Sequence, residues 1–333
     1  MTEDERNEEL AGLRPVQPLR IGAHTTVGEL INGLQDCAFG AGRLARAVAI
    51  YEAMLTEETT KFLGIAGALV PAGMRSVLAD LIRDQYVDVV VTTGANLVHD
   101  IIEALGSRHY LREIAQTPVG GVPEDVWLRR HSLDRIYDLV VHDEAFAKLE
   151  TFLHGIFDAL DERRYTIREL LTAIGEHISD PNSILRSAVE SNVPVFCPAL
   201  ADSMIGLHAW LYQQSRCLEV DVFADMRELI EHFSTANRTG AIILGGGVPK
   251  NFIFQAALVA PRPEGREGLD YAIQLTTSTP EDGGLSGATL EEARSWGKIS
   301  GGAKTVTVHT DATIALPIIV AALRERMAQR TVR

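Results

Sequence analysis

The chain has 333 residues, 46% of them hydrophobic and 23% charged, a length and balance that exclude a disulfide mini-protein and a disordered polymer. Its net charge of −14 disfavours a general nucleic-acid or anionic-membrane binder, which needs a basic face, and suits a cationic ligand. No apolar run reaches the roughly 18 residues of a membrane span, and the acidic N-terminus MTEDERNEEL is the opposite of a secretory or mitochondrial leader, so a soluble cytoplasmic protein is expected.

Residues 1–24 are charged and carry Pro15 and Pro18, and are expected to form a mobile arm ahead of a single α/β domain over 25–330. From Thr25 to about Leu63 the apolar residues recur at helical spacing, as in Leu44, Val48, Tyr51, Met54 and Leu55. Short β-branched runs follow at 87–93, 193–196, 241–244, 271–277 and 305–309, several ending in a glycine or hydroxyl cluster. Helical patterns at 74–84, 98–105, 223–233 and 314–327 separate them. Strands apolar on both faces and alternating with helices predict a parallel sheet with helices on both faces. Residues 107–190 are less regular, with helical stretches at 144–160 and 167–178. They read as a partly helical insertion between strands, with a separate helical domain as the alternative.

Ligands of an open parallel sheet bind beyond the carboxyl ends of its strands. That rule selects Thr92-Thr93-Gly94, the stretch 198–202 ending in Asp202, Gly245-Gly246-Gly247, the stretch 276–286, and Thr310-Asp311-Ala312, a plausible rim for a nucleotide. The three glycines precede a helix, where backbone N–H groups and the dipole attract phosphate, although the string is neither GxGxxG nor a Walker loop. A tight left-handed turn is the plain alternative. Asp282 could accept ribose hydroxyls and Ser286 could donate to phosphate, or both could belong to an ordinary polar loop. Glu292 fits a capping box with Thr289. Gly297 suits the position just past a helix end, which leaves Lys298 immediately beyond it. A lysine that carries an imine would serve group transfer there, with Trp296 nearby to hold an aliphatic cation by cation–π attraction. Ten histidines without an HExxH or HxH pair support no metal site, and three cysteines without CxxC spacing (Cys37, Cys197, Cys217) suggest a reducing compartment. No GxSxG elbow is present.

The strings LGGGVPKN, DGGLSGATLEEARSWGKI and HTDAT resemble the deoxyhypusine synthase family in order and spacing, as do VDVVVTTG, VPVFCPALADS, RHSLDRIYDLVV and FLGIAGALVPAGMR. The likeness runs from about Leu34 to Ala322. It implies a Rossmann-like fold and NAD-dependent aminobutyl transfer. In that reaction spermidine is oxidised, 1,3-diaminopropane leaves, and the butylimine moves to a lysine and then to a lysine of translation initiation factor 5A. The resemblance assigns the imine to Lys298 and substrate contacts to Trp296 and Glu292. It assigns NAD contacts to Thr93, Asp202, Gly246, Thr277, Asp282, Ser286 and Asp311, and implies a homotetramer with sites shared between subunits.

This sequence departs from the family where polyamine nitrogens are bound. Asn251 replaces a histidine, Leu207 and Leu285 replace acids, and His99 replaces an NAD-contacting glutamate. The cofactor and lysine machinery is better preserved than the spermidine pocket. Three readings stand: aminobutyl transfer with an altered donor or acceptor, homospermidine-type transfer to a diamine, and a non-catalytic NAD-binding paralogue.

Overall fold

A computed structural model of the chain describes residues 13–112, 122–262 and 267–331. Residues 13–24 run outside the helices, and Gln17 N–H donates to the carbonyl of Asp36. Helix α1 (Val27–Leu34) starts at a capping box in which Glu29 N–H donates to Thr26 Oγ1 and Thr26 N–H donates to the Glu29 carboxylate. Helix α2 (Phe39–Thr56) buries Val48, Tyr51 and Met54. The helical spacing does not continue to residue 63 as expected: Thr59–Ile65 is strand β1, buried along almost its whole length. A short apolar run fits a buried helix turn as well as a central strand, and here pairing on both sides decides.

A π turn (Val70–Met74) leads into α3 (Arg75–Arg83), β2 (Val89–Thr92), α4 (Gly94–Ala104) and β3 (Tyr110–Leu111). Next come α5 (Glu124–Arg130), β4 (Leu133–Ile136), β5 (Leu139–His142), α6 (Glu144–Ala159), β6 (Arg164–Thr166), α7 (Ile167–Glu176) and α8 (Ile184–Glu190). The last part holds β7 (Val195–Phe196), α9 (Met204–Gln213), β8 (Glu219–Asp221), α10 (Asp225–Ser234), β9 (Arg238–Leu244) and α11 (Gly247–Val259). It closes with β10 (Leu269–Thr276), α12 (Leu290–Ser295), β11 (Ile299–His309) and α13 (Ala312–Thr331).

Six strands form one sheet in the order β11-β10-β9-β1-β2-β7, every neighbouring pair parallel. Side chains alternate across it as the pleat requires. Leu63, Ile65, Val90, Ile242 and Ile273 join a core with α2, α4 and α13 on one face. Phe62, Val89, Val91, Ala241 and Ile243 join α10, α11 and α12 on the other, where Phe62 stacks on Phe233 with ring centroids 4.0 Å apart. The expected parallel sheet covered on both faces is thus present.

Between β2 and β7 the chain adds more than the expected helices. Strands β3, β5 and β4 make a small antiparallel sheet. At two to four residues each, with Asp134 and Arg135 inside β4, these strands are too short to show alternation in sequence. Leu149, Leu153, Leu170 and Leu171 of α6 and α7 join the same apolar cluster as the main sheet. A buried ionic knot ties this region down. Asp100 of α4 accepts from Arg75 Nε (2.7 Å), from Ser183 Oγ (2.7 Å) and from the N–H groups of Ile184 and Leu185 at the start of α8.

Candidate active site

The site begins where β9 ends. Gly245 and Gly247 take left-handed φ values of 80° and 55°, turning the chain into α11. A Cβ on Gly246 would stand 2.5 Å from Ser286 Cα, so only glycine permits this contact between two loops. Gly247 N–H donates to Ser286 Oγ (3.1 Å), and the buried Gln274 amide of β10 donates to the carbonyls of Gly245 (2.9 Å) and Ser286 (2.8 Å). Lys250 fastens the arrangement: its Nζ donates to Gln274 Oε1 (3.1 Å) and to the carbonyls of Leu285 (3.2 Å) and Ala288. Burial pushes the Lys250 pKa down to about 8; the Glu292 carboxylate opposes the shift and the Lys298 ammonium adds to it. Three acceptors around one amine favour the charged form, so Lys250 is a cation at neutral pH.

A cleft of about 940 Å³ opens over these strand ends, lined by Gly246, Thr277, Ser286 and Asp311 together with His109 and Tyr137 from the insertion. Four of the seven expected cofactor contacts therefore share one cavity. The other three do not line it. Thr93 precedes α4, where its Oγ1 accepts from Asn96 Nδ2 (3.1 Å). Asp202 is exposed in the turn between β7 and α9, and its N–H donates to the Ala199 carbonyl. Asp282 shapes its own loop, its Oδ1 accepting from Gly284 N–H (2.7 Å). Asp311 has a structural bond too, because its Oδ1 accepts from Thr313 N–H (2.8 Å) at the start of α13.

Lys298 is positioned by the end of α12. Gly297 adopts φ 71°, its N–H donates to the Arg294 carbonyl, and Lys298 N–H donates to the Ala293 carbonyl, both at 3.0 Å. This is the paired-bond Schellman termination, and it confirms the glycine stop read from sequence. Lys298 Nζ lies 3.4 Å from Asn251 Oδ1 of α11 and 5.5 Å from the centroid of the Trp296 ring, within cation–π range. Trp296 is 63% exposed, so its ring face is open to a ligand. Only half of the expected capping box forms. Glu292 N–H donates to Thr289 Oγ1 (3.0 Å), while no return bond from the exposed Glu292 carboxylate to the cap is seen among the described residues.

Leu207 and Leu285 lie on different elements. Leu285 sits in the loop after β10 that Lys250 of α11 holds, whereas Leu207 lies on α9, beyond the edge strand β7. Leu207, Trp210 and Leu211 form an exposed apolar strip on α9.

Sequence reasoning noticed His99 only as a departure and missed its partners. His109 Nδ1 lies 2.7 Å from Glu103 and its Nε2 lies 2.9 Å from His99 Nδ1, a carboxylate–imidazole–imidazole chain that reaches the cleft through His109. Burial, reinforced by His109, pushes the His99 pKa down to about 4. The bracing roles of Lys250 and Gln274 were missed as well. Gln274 did leave a signal, as an amide set between the apolar Ile273 and Leu275 of a buried strand.

The deoxyhypusine synthase family profile matches residues 29–323. A "probable deoxyhypusine synthase" of Methanosarcina thermophila is 53% identical over 95% of this chain and 96% of its own. A "probable deoxyhypusine synthase 1" of Archaeoglobus fulgidus is 46% identical over 91% and 95%. Among solved structures, "a putative deoxyhypusine synthase from Entamoeba histolytica" superposes with a TM-score of 0.62 at 22% identity, covering 92% of this chain and 96% of that one, a likeness of fold. With a profile spanning most of the described sheet and close relatives matched nearly end to end, the chain belongs to the deoxyhypusine synthase family of aminobutyl-group transferases.

Proposed function

We propose that the protein catalyses NAD-dependent aminobutyl transfer through Lys298, with a donor or acceptor other than the spermidine and factor 5A pair. The observation that carries the reading is the placement of Lys298: a helix termination fixes its backbone, Asn251 and the Trp296 face flank its amine, and α11 links it to the glycine loop of the cleft. The chemistry that bound NAD would supply is that of a reversible hydride acceptor for the amine donor. Gly246, Thr277, Ser286 and Asp311 would hold it. The fit is supported by the close Gly246–Ser286 contact, which forms the wall of the cleft beside the start of α11, where the helix dipole favours phosphate.

Lys298 attacks as the neutral amine, exchanging its nitrogen for that of the departing amine, which leaves carrying the proton. Trp296 presents a π face to the cationic end of the substrate, and Glu292 supplies negative charge beside Lys250. With leucine at 207 and 285, two charge-assisted contacts of about 1.5–3 kcal/mol each are missing, so a triply charged polyamine should bind at least about a hundredfold more weakly than in a pocket carrying both acids. A shorter diamine suffers less. Leu207 follows the edge strand β7 while Leu285 follows β10, so a pocket shared between two copies, as in the tetramer the family implies, would bring such positions together.

The test is to incubate the protein with NAD and a panel of diamines and polyamines, trap with borohydride and measure intact mass. A butylamine-sized adduct on wild type, absent from Lys298→Arg while calorimetry still shows NAD binding, is the expected result. No adduct with any amine, NAD being bound, would favour the non-catalytic paralogue. Spermidine turnover with factor 5A that matches the best diamine would refute the altered pocket.

A further inference from the structure

Helices α6 and α9 face each other away from the cleft, and their facing residues form two rungs. In the lower rung Asp158 accepts from Tyr212 Oη (2.9 Å) and pairs with Arg216 (2.5 Å). In the upper rung Glu150 and His154, one helical turn apart on α6, meet His208 of α9, one turn before Tyr212. One ligating atom from each of Glu150, His154 and His208 lies within 4.8 Å of the other two.

His208 is the unusual member. It is 4% exposed, yet neither ring nitrogen has a hydrogen-bond partner among the described residues. Buried polar groups are nearly always paired, and an exception calls for an explanation such as an ion. His154 is oriented for the same purpose: its Nε2 lies 3.3 Å from the His208 carbonyl. A proton donated there leaves Nδ1 as the ligating atom, the outer-shell bond typical of metal-bound histidine.

We propose that Glu150, His154 and His208 bind a zinc ion that clasps α6 to α9, with water as the fourth ligand. Two imidazoles and one carboxylate are a borderline nitrogen and oxygen set that suits zinc better than magnesium or calcium. Ligand atoms around tetrahedral zinc stand about 3.3 Å apart, so the cluster must contract, and Glu150, exposed and unconstrained on its outer side, can swing inward to do so. The clasp would fix the helix that carries Leu207, Trp210 and Leu211.

Chelator-stripped full-length protein should take up one equivalent of zinc by calorimetry and melt at a higher temperature with zinc than without it. Glu150→Gln, a change at an exposed position, and His154→Ala should each weaken zinc at least tenfold and abolish the thermal shift. Cobalt should give the visible bands of a tetrahedral nitrogen and oxygen site without thiolate charge transfer. Absence of saturable zinc binding, unchanged affinity in Glu150→Gln, or a thiolate band pointing to a cysteine would each overturn the proposal.

Discussion

At the scale of single residues, the imidazole chain beside the cleft makes a pH prediction. His99 titrates near 4 when folded and near its ordinary 6.5 when unfolded. Between those values the unfolded chain binds more protons, so stability rises with pH across this window and levels off above it. The depressed pKa corresponds to a span of about 3 kcal/mol. Denaturant midpoints measured across the window should fall on acidification in the wild type and fall distinctly less in His99→Gln, which keeps a polar side chain opposite His109 but cannot titrate. An equal fall in both would assign the acid sensitivity to other groups, such as Asp180, whose carboxyl is held down in part by Arg75. Lys250 illustrates a second residue-scale point. A buried ammonium persists there because three acceptors and Glu292 oppose desolvation.

At the scale of elements, two glycines separate cofactor binding from lysine placement. A Cβ on Gly246 would strike Ser286, while one on Gly268, already at φ 66°, would stand 2.6 Å from the Lys298 backbone carbon. Gly246→Ala should push apart the two loops that line the cleft and weaken NAD at least about tenfold, because the lost contact positions Ser286 against Gly247 N–H. Gly268→Ala should leave NAD affinity nearly intact yet cut adduct formation on Lys298 by a similar factor, with a stability loss of about 1 kcal/mol for the left-handed alanine. Calorimetry with NAD and borohydride trapping, run on both variants, separate the two effects. Identical defects in both variants would mean that cleft and lysine form one rigid unit.

At the scale of the whole molecule, the insertion and the sheet are joined through Asp100. Asp100→Ala would leave the buried Arg75 guanidinium with Asp180 and the more distant Glu103 as its carboxylate partners, and would strip the acceptor from two N–H groups at the start of α8. Breaking a buried pair in this way costs about 3–5 kcal/mol, which chemical denaturation should register as a large drop in midpoint. Assembly makes the other prediction. Lys298 lies at one edge of the sheet and Asp202 with Leu207 at the other, so if the proposed site is shared between copies, Lys298→Arg and Asp202→Ala disable different halves of it. Each variant should be inactive alone, and co-refolded mixtures should recover up to about a quarter of wild-type activity, the random-pairing expectation for a symmetric two-chain site. No recovery in mixed oligomers confirmed by native mass spectrometry would place both residues in one chain's site.

Local chemistry determined a large share of this fold by itself. The five β-branched runs became strands because apolar residues on both faces must be buried on both faces, and Gly297 ended α12 because a left-handed residue there costs glycine little. The lysine and its tryptophan were legible for the same reason: they lie two residues apart, and their relation survives in any fold that ends the helix at that glycine. Relations between distant segments were not legible. Thr59–Ile65 became a central strand only through pairing with β2 and β9. Thr289 caps α12 through its own hydroxyl, whereas the exposed Glu292 carboxylate does not complete the box that the spacing offered. Thr93 and Asp202 read like their companions but follow β2 and β7, outside the cleft at the β9, β10 and β11 ends, because strand order, not sequence order, sets which ends are neighbours. Asp282 shares a loop with Ser286 but is taken up by its own turn. The cluster of Glu150, His154 and His208 spans 58 residues and exists only where α6 meets α9. Periodicity and turn chemistry act over a few residues, whereas a pocket is a statement about which surfaces the chain has folded together.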